Sequence, residues 1–309
     1  MRSSGGRRRR EAEGGSVAIL VLWGLALIFV LVSAASMTVR TETRIAGNSI
    51  AAARARYAAE AGTQLGLSRL LRRAQAGATG FDGTPQEWRD GATRVSVAIV
   101  DEAGKIDVNQ APLELLAGLF AAVGRSKEEA VLLACNILDR RGTAAPSCPE
   151  PAEGDPAVRR RGHRFAAPEE LTQVPGVDEA TYAAVADFIT VATGASAVDP
   201  LSAPRAVLLA IPGATPELVD TYLSNRETWR DMAGAGDVSG LLPAAPFLTA
   251  SPGRDFTIES VATTSEGARF RADLQLRLTG TPTHPYEVIA WRSPPIEAGE
   301  GRTPQRASP

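Results

Sequence analysis

The stretch TRVSVAIVDEAGKIDVNQAPLELLAGLF, residues 93–120, changes its periodicity half-way. Val95, Val97 and Ile99 alternate with polar neighbours, the period of a strand with one buried face. Asp101 to Gly104 supplies turn chemistry, and Lys105 to Val108 reads as the strand returning from that turn. Asn109 can then form an Asx turn. Ala111-Pro112 follows, and proline suits a first helical turn because its missing N–H would be unpaired there anyway. After Pro112 the apolar residues take helical spacing. The stretch therefore predicts a strand that feeds a helical region.

Near the other end the strand period returns. In RDFTIESVATTSEGARFRADLQLRLTG, residues 254–280, Phe256, Ile258 and Ser260 alternate, SEG turns, and Phe270, Ala272, Leu274, Leu276 and Leu278 alternate back. YEVIAWR, 286–292, reads as an edge strand. The intervening residues, about 110 to 245, read as helical and carry an internal echo. IDVNQAPLELLAGL (106–119) aligns with VDPLSAPRAVLLAI (198–211), and FAAPEELTQVPG (165–176) is a shorter version. The fold class is thus α+β, with a small antiparallel sheet split in sequence and an α-helical domain inserted into it.

The N-terminal segment RRRREAEGGSVAILVLWGLALIFVLVSAASMTVR spans Arg7 to Arg40. Ser16 to Val39 carries no charge, and such a helix spans roughly 36 Å, enough for a bilayer core. The arginines before it place the N-terminus in the cytoplasm and the rest outside. Ser33-Ala34-Ala35 offers a secretory cleavage site, so ordinary signal cleavage and a retained anchor both stand. Beyond Arg40 the chain is alanine-rich and free of proline as far as Gly77. Ile45, Ile50, Tyr57, Ala61, Leu65 and Leu70 are read as its apolar stripe.

Composition excludes several functions. The 309 residues carry a net charge of −2, which gives no bulk attraction to nucleic acid. VPGV (174–177) and IPGA (211–214), with Pro175, Gly176, Pro212 and Gly213, resemble the hairpins of helix-hairpin-helix DNA-binding motifs. However, Glu169, Glu170, Asp178, Glu179, Glu217 and Asp220 surround them, where phosphate binding needs cations. RRRGHRF (159–165) reads as a solvated loop. The two histidines, His163 and His284, lack metal-ligand spacing. No Gly-x-Ser-x-Gly and no nucleophile–base pair argues for an enzyme. The two cysteines, Cys135 and Cys148, can pair in an oxidising compartment, or Cys135 can be a small buried residue of an apolar helix.

A basic leader, a glycine and a retained apolar helix resemble a type IV prepilin signal. The resemblance implies cleavage by a prepilin peptidase between Gly15 and Ser16, with Gly14 leaving the register open by one residue. Leu20 then stands fifth in the mature chain, where most pilins carry glutamate. With RARYAAEAGTQLGLSRL, DEAGKIDVNQAPLELLAGLF, FAAPEELTQVPGVDEATYAAVADFITV and APRAVLLAIPG, the chain resembles GspK, the family of large minor pseudopilins of the type II secretion system. The match covers nearly its whole length. That family is noted for an apolar fifth residue and for an α-domain inserted into a pilin-like β fold. Asn109, Ala111 and Pro112 fall in its motifs, as do the two Pro-Gly pairs.

The resemblance implies a division into a cytoplasmic leader (1–15), a transmembrane helix (16–39) and the periplasmic part of that helix (40–77). The first β part (78–109), the inserted helical domain (110–245), the second β part (246–292) and a disordered tail (293–309) follow. It also implies a single-pass inner-membrane subunit with a periplasmic head. Its partners would be other minor pseudopilins, the inner-membrane assembly platform, the peptidase and membrane lipid, with no nucleic acid and no catalytic residue. No cofactor is assigned. Calcium has been associated with the family's inserted domain, and Glu150, Glu153 and Asp155 could contribute oxygens, but no spacing identifies a site.

Overall fold

The computed structural model describes residues 10–76, 81–143, 145–148, 162–232, 245–249 and 253–294. Within its helices the side chains at 10–17, 35–41 and 227–232 lie outside that description. So do the arginines at 7–9, the candidate calcium ligands Glu150, Glu153 and Asp155, Arg159–Arg161 and the tail from 295.

One helix, α1, runs unbroken from Arg10 to Gln75. Among the described residues no helix is long and apolar enough to cross a membrane. The expected span 16–39 includes 16–17 and 35–39, whose side chains are not described. Within the described part, Leu20, Trp23 and Phe29 are exposed.

The sheet has five antiparallel strands in the order β1 (Gln86–Asp90), β2 (Thr93–Asp101), β5 (Asp255–Thr263), β6 (Arg269–Leu278), β7 (Tyr286–Arg292). The central pair, β2 and β5, is joined in sequence only through about 150 intervening residues, and its register sets Ile99 opposite Ile258. The alternations read from sequence are realised on one face, where Val95, Ile99, Phe256, Ile258, Ala272, Leu274 and Leu276 are buried.

That face packs on α1, but not through the stripe read from its sequence. Ile45, Ile50, Tyr57 and Leu65 are 60, 54, 69 and 47 % exposed, and Ala61 is exposed too. Of the expected set only Leu70 is buried. The buried face is Ala51, Ala55, Ala58, Ala59, Gly62, Thr63, Gly66, Leu67 and Leu70, spaced by three and four as a helix face must be. Small residues win because they let the helix axis approach the pleat closely. A Cβ at Gly62 would stand 2.1 Å from Ser260 Oγ and 2.8 Å from Val95 Cγ1. One at Gly66 would stand 2.5 Å from Ile258 Cγ2.

Between β2 and β5 lies the helical segment. It holds β3 (Ile106–Asp107), α2 (Leu113–Ala122), α3 (Lys127–Arg140), a 3-10 turn at Pro168–Gln173, α4 (Glu179–Val185), β4 (Ile189–Thr190), α5 (Arg205–Leu209) and α6 (Pro216–Met232). Its core, around Leu115, Leu116, Phe120, Ile137, Leu171, Leu208, Ile211 and Tyr222, is distinct from the core under the sheet. Its ends differ from the sequence reading. Residues 102–104 form a 3-10 turn, and Ile106–Asp107 pairs in parallel with Ile189–Thr190. The expected return strand does not form, because Asp101 caps that turn by accepting the Ala103 N–H, 2.9 Å away. Residues 245–249 also belong here, since Phe247 and Leu248 pack on the helical core. The segment thus leaves the sheet at 102 rather than 110, and residues 246–249 are not part of the second β portion.

We expect Gly62→Ala combined with Gly66→Ala to destabilise the chain by about 2 kcal/mol through overpacking. Gly47→Ala, where a Cβ meets nothing within 4 Å, should be neutral or stabilise by up to ~1 kcal/mol. Denaturant unfolding measures both. Equal behaviour of the two would remove the close-packing account.

Candidate functional site

The chemistry of this chain is concentrated where the two cores meet. The echoed segments show how the sequence builds that junction. In the first, Asp107 Oδ1 accepts the Asn109 N–H at 2.8 Å and the Asp107 carbonyl accepts the Ala111 N–H at 2.8 Å. In the second, Asp199 Oδ1 accepts the Leu201 N–H at 3.1 Å and the Asp199 carbonyl accepts the Ala203 N–H at 2.9 Å. Pro112 and Pro204 then stand as N-cap residues of α2 and α5. Both copies are thus an Asx turn that aims a short helix into the core. The two helices touch closely, for a Cβ at Gly118 would lie 2.0 Å from the Ala210 carbonyl oxygen.

The turn-forming residue is Asp107, not Asn109 as read from sequence. Asn109 instead clamps a remote strand of chain. Its Oδ1 accepts the Phe165 N–H at 2.8 Å, and its Nδ2 donates to the Phe165 carbonyl at 3.0 Å. Ala111 is buried, and its carbonyl accepts from Arg141 Nη2 at 2.7 Å.

The two Pro-Gly pairs make the same tight turn. Val177 N–H donates to the Val174 carbonyl and Ala214 N–H to the Ile211 carbonyl, each at 3.0 Å. Gly176 and Gly213 take φ of +85° and +82° at the third position, where a type II turn requires glycine. A 3-10 turn precedes the first, so only the second joins two α-helices. One amide beyond the first is already engaged, since Asp178 Oδ1 accepts the Thr181 N–H at 2.7 Å. The Thr181 hydroxyl and N–H hold the Asp178 carboxyl below the ordinary aspartate value. A carboxylate therefore occupies the place a phosphate would need.

At the junction Lys105 Nζ donates to Glu102 Oε1 at 2.9 Å, and Thr257 Oγ1 of β5 donates to the same oxygen at 2.7 Å. Burial alone would raise the Glu102 carboxyl, but Lys105 with the Thr190 and Thr257 hydroxyls holds it below the usual glutamate value. Burial pulls the Lys105 ammonium down, and Glu102 more than offsets it. Further ties cross the junction. Arg226 Nη2 meets Asp82 Oδ2 at 3.3 Å, Arg277 Nη2 donates to the Ala192 carbonyl at 3.0 Å, and Arg292 Nη1 meets Glu169 Oε1 at 3.3 Å. Among the described residues the sheet and the helical segment are joined by hydrogen bonds and ion pairs, and their apolar clusters are separate. Asp101, Glu102, Lys105 and Asp199 were not marked by sequence as site residues. The aspartate repeated in the echo, Asp107 and Asp199, is the signal that could have found Asp199.

Elsewhere, Cys135 of α3 and Cys148 are joined by a disulfide with Cα atoms 5.6 Å apart. Gly15 and Ser16 lie on the α1 backbone, but their side chains are outside the described residues. Leu20 is 70 % exposed. Among the described residues no group of three or more His, Cys, Asp or Glu is placed to hold a metal ion.

This chain is similar to a solved chain of a secretion complex. That chain comes from the crystal structure of the GspK-GspI-GspJ complex of the enterotoxigenic Escherichia coli Type 2 Secretion System. Identity is 14 %, coverage is 83 % of this chain and 100 % of that one, and the TM-score is 0.49. No protein-family model matches the chain, and no curated protein matches it.

Lys105→Met should cost about 3–5 kcal/mol, because it strands a buried carboxylate. Adding Glu102→Gln should restore most of that loss. Denaturant unfolding of the single and double variants checks the pair. A single variant as stable as the double would show that the pair does not join the two bodies.

Proposed function

We propose that this chain is the large minor pseudopilin of a type II secretion system, a non-enzymatic subunit that initiates or caps the tip of the periplasmic pseudopilus. The pseudopilus assists export of folded proteins across the outer membrane. The observation that carries this reading is architectural. A long N-terminal helix lies by its small-residue face on an antiparallel sheet, and a separate helical body departs from and returns to the two central strands. The sequence motifs that resemble the GspK family fall on those parts: RARYAAEAGTQLGLSRL on the helix, and DEAGKIDVNQAPLELLAGLF across the exit from the sheet.

In this reading prepilin peptidase cuts between Gly15 and Ser16, where glycine lets the enzyme approach the backbone. Residues 16–39 then anchor the chain in the inner membrane, with the N-terminus cytoplasmic and the head periplasmic. Leu20 replaces a glutamate that would pair with the N-terminal amine of a neighbouring subunit. At a terminus no such amine is met, and an unpaired charge at membrane depth costs on the order of 2.5–3.5 kcal/mol. The bulk of the helical body fits the same place, because it would obstruct a subunit stacked on it. The oxidising periplasm suits the Cys135–Cys148 bond. Partners are the other minor pseudopilins, the assembly platform, the peptidase and lipid. No cofactor is needed, and calcium on Glu150, Glu153 or Asp155 remains an unassigned part of the reading.

The rival, a membrane-anchored DNA receptor using the Pro-Gly turns, is disfavoured by the Asp178 cap and by Glu217 in the first turn of α6. Affinity capture with the detergent-solubilised chain separates the two. We expect recovery of other minor pseudopilins and no salt-dependent retention of duplex DNA. A salt-sensitive DNA complex lost on changing Gly176 and Gly213, without pseudopilin capture, would overturn the proposal.

A further inference from the structure

Three separate pieces of chain converge at the end of β2. Asp101 is its last residue, 1 % exposed, and stands opposite Phe256 of β5. The turn 199–203 reaches it from the helical body. Asp199 N–H donates to the Ala103 carbonyl at 2.8 Å, and a Cβ at Gly104 would fall 2.5 Å from the Ser202 carbonyl carbon. The third piece is the returning chain, where a Cβ at Gly253 would fall 1.8 Å from Asp101 Oδ1. This junction is the place where the helical body is hung on the sheet.

One hydroxyl there serves two buried carboxyl groups. Ser202 Oγ is 2.8 Å from Asp199 Oδ2 and 3.4 Å from Asp101 Oδ2. Ser202 has one hydroxyl hydrogen and can donate to one of them only. With both carboxylates ionised, two negative charges would face the same oxygen, and one contact would hold no hydrogen. A proton on Asp101 Oδ2 resolves both problems. Asp101 then donates to Ser202 Oγ, which donates to Asp199 Oδ2. Asp101 Oδ1 stays free to accept the Ala103 N–H.

We propose that Asp101, Ser202 and Asp199 form a proton-operated latch, closed in acid, that loosens the hold between helical body and sheet as the pH rises.

Among the described residues, the other charges around Asp101 do not remove this proton. On its own side Glu102 is negative but paired with Lys105. On β5 Asp255 is negative but paired with Arg277 Nε at 2.7 Å. From the helical body the facing charge is Asp199. Burial pushes the Asp101 carboxyl up to about 7. The Ala103 N–H works against it, Asp199 and Glu102 add to it, and the Ser202 hydroxyl opposes it weakly. The acid thus titrates near neutrality.

The sign follows from proton counting. Closed, Asp101 keeps its proton up to about pH 7, whereas opened to water it loses it near the ordinary aspartate value of ~3.9. Opening therefore releases a proton between those limits and becomes easier as the pH rises, by up to about tenfold per unit. The gain ends above the closed-state value. This inference does not depend on the secretion role.

The test is hydrogen exchange on the full-length chain, followed by mass spectrometry on peptides covering 100–105 and 198–204. Opening constants are corrected for the intrinsic pH dependence of exchange. From pH 5 to pH 7 they should rise by roughly fiftyfold in the wild type and by less than about threefold in Asp101→Asn, which holds the same hydrogen permanently. A flat wild type, or an equally steep variant, would overturn the latch. Should Asp101→Asn not fold, the wild-type Asp101 carboxyl carbon titrated by NMR decides. A midpoint at or above 6 supports the latch, and one below 6 rejects it.

Discussion

The distance between α1 and the sheet is the constraint on which the other features depend. A helix can lie this close to a pleated surface only if its buried face is nearly without side chains, and Ala51, Ala55, Ala58, Ala59, Gly62 and Gly66 provide that face. The approach has two consequences. It covers β2, β5 and β6 with one rod, so the small sheet needs no second layer on that side. It also turns the larger apolar residues Ile50, Tyr57 and Leu65 outward. The helix is thus two-sided, with its small residues serving the fold and its large ones left for other contacts.

A second consequence concerns the helical body. Because β2 and β5 are neighbours at the centre of the sheet, everything between them must leave and return at one place. The body carries its own core and its own disulfide, so it needs little apolar help from the sheet. What joins the two is polar: Glu102 with Lys105 and Thr257, Arg226 with Asp82, and the Asp101–Ser202–Asp199 group. Polar junctions fix geometry through directional bonds, and their strength follows charge state more closely than that of an apolar seam. The same residues that position the body therefore make its attachment responsive to pH.

Much of this was legible in the chain. The period-two alternations located β2, β5 and β6, since each carries a row of apolar residues on one face, and β7 was read as an edge strand. The Pro-Gly pairs located their turns, and the Ala-Pro echo located α2 and α5. Other features left no readable trace. β1 is exposed at every residue, so it has no alternation to detect. β3 and β4 are two residues each, too short for any period. The face of α1 was misread because hydrophobicity marks large residues, whereas close packing selected small ones. Asn109 was read as the turn former because asparagine favours Asx turns. The neighbouring Asp107 holds the turn, which frees Asn109 to clamp Phe165. The ion pair at Glu102 and Lys105 was hidden because DEAG reads equally well as a hairpin tip or as a capped 3-10 turn. Only the register of β3 with β4 distinguishes them.

The central claim is that a chain with this helix and this laterally attached body occupies one end of a filament. Its most direct test places an electron-dense label on the helical body, at the exposed Leu132 of α3, and images assembled pseudopili. The account predicts a single label at one end of each filament, with filament number falling when Leu20 is replaced by glutamate. Labels repeated along the shaft would contradict it.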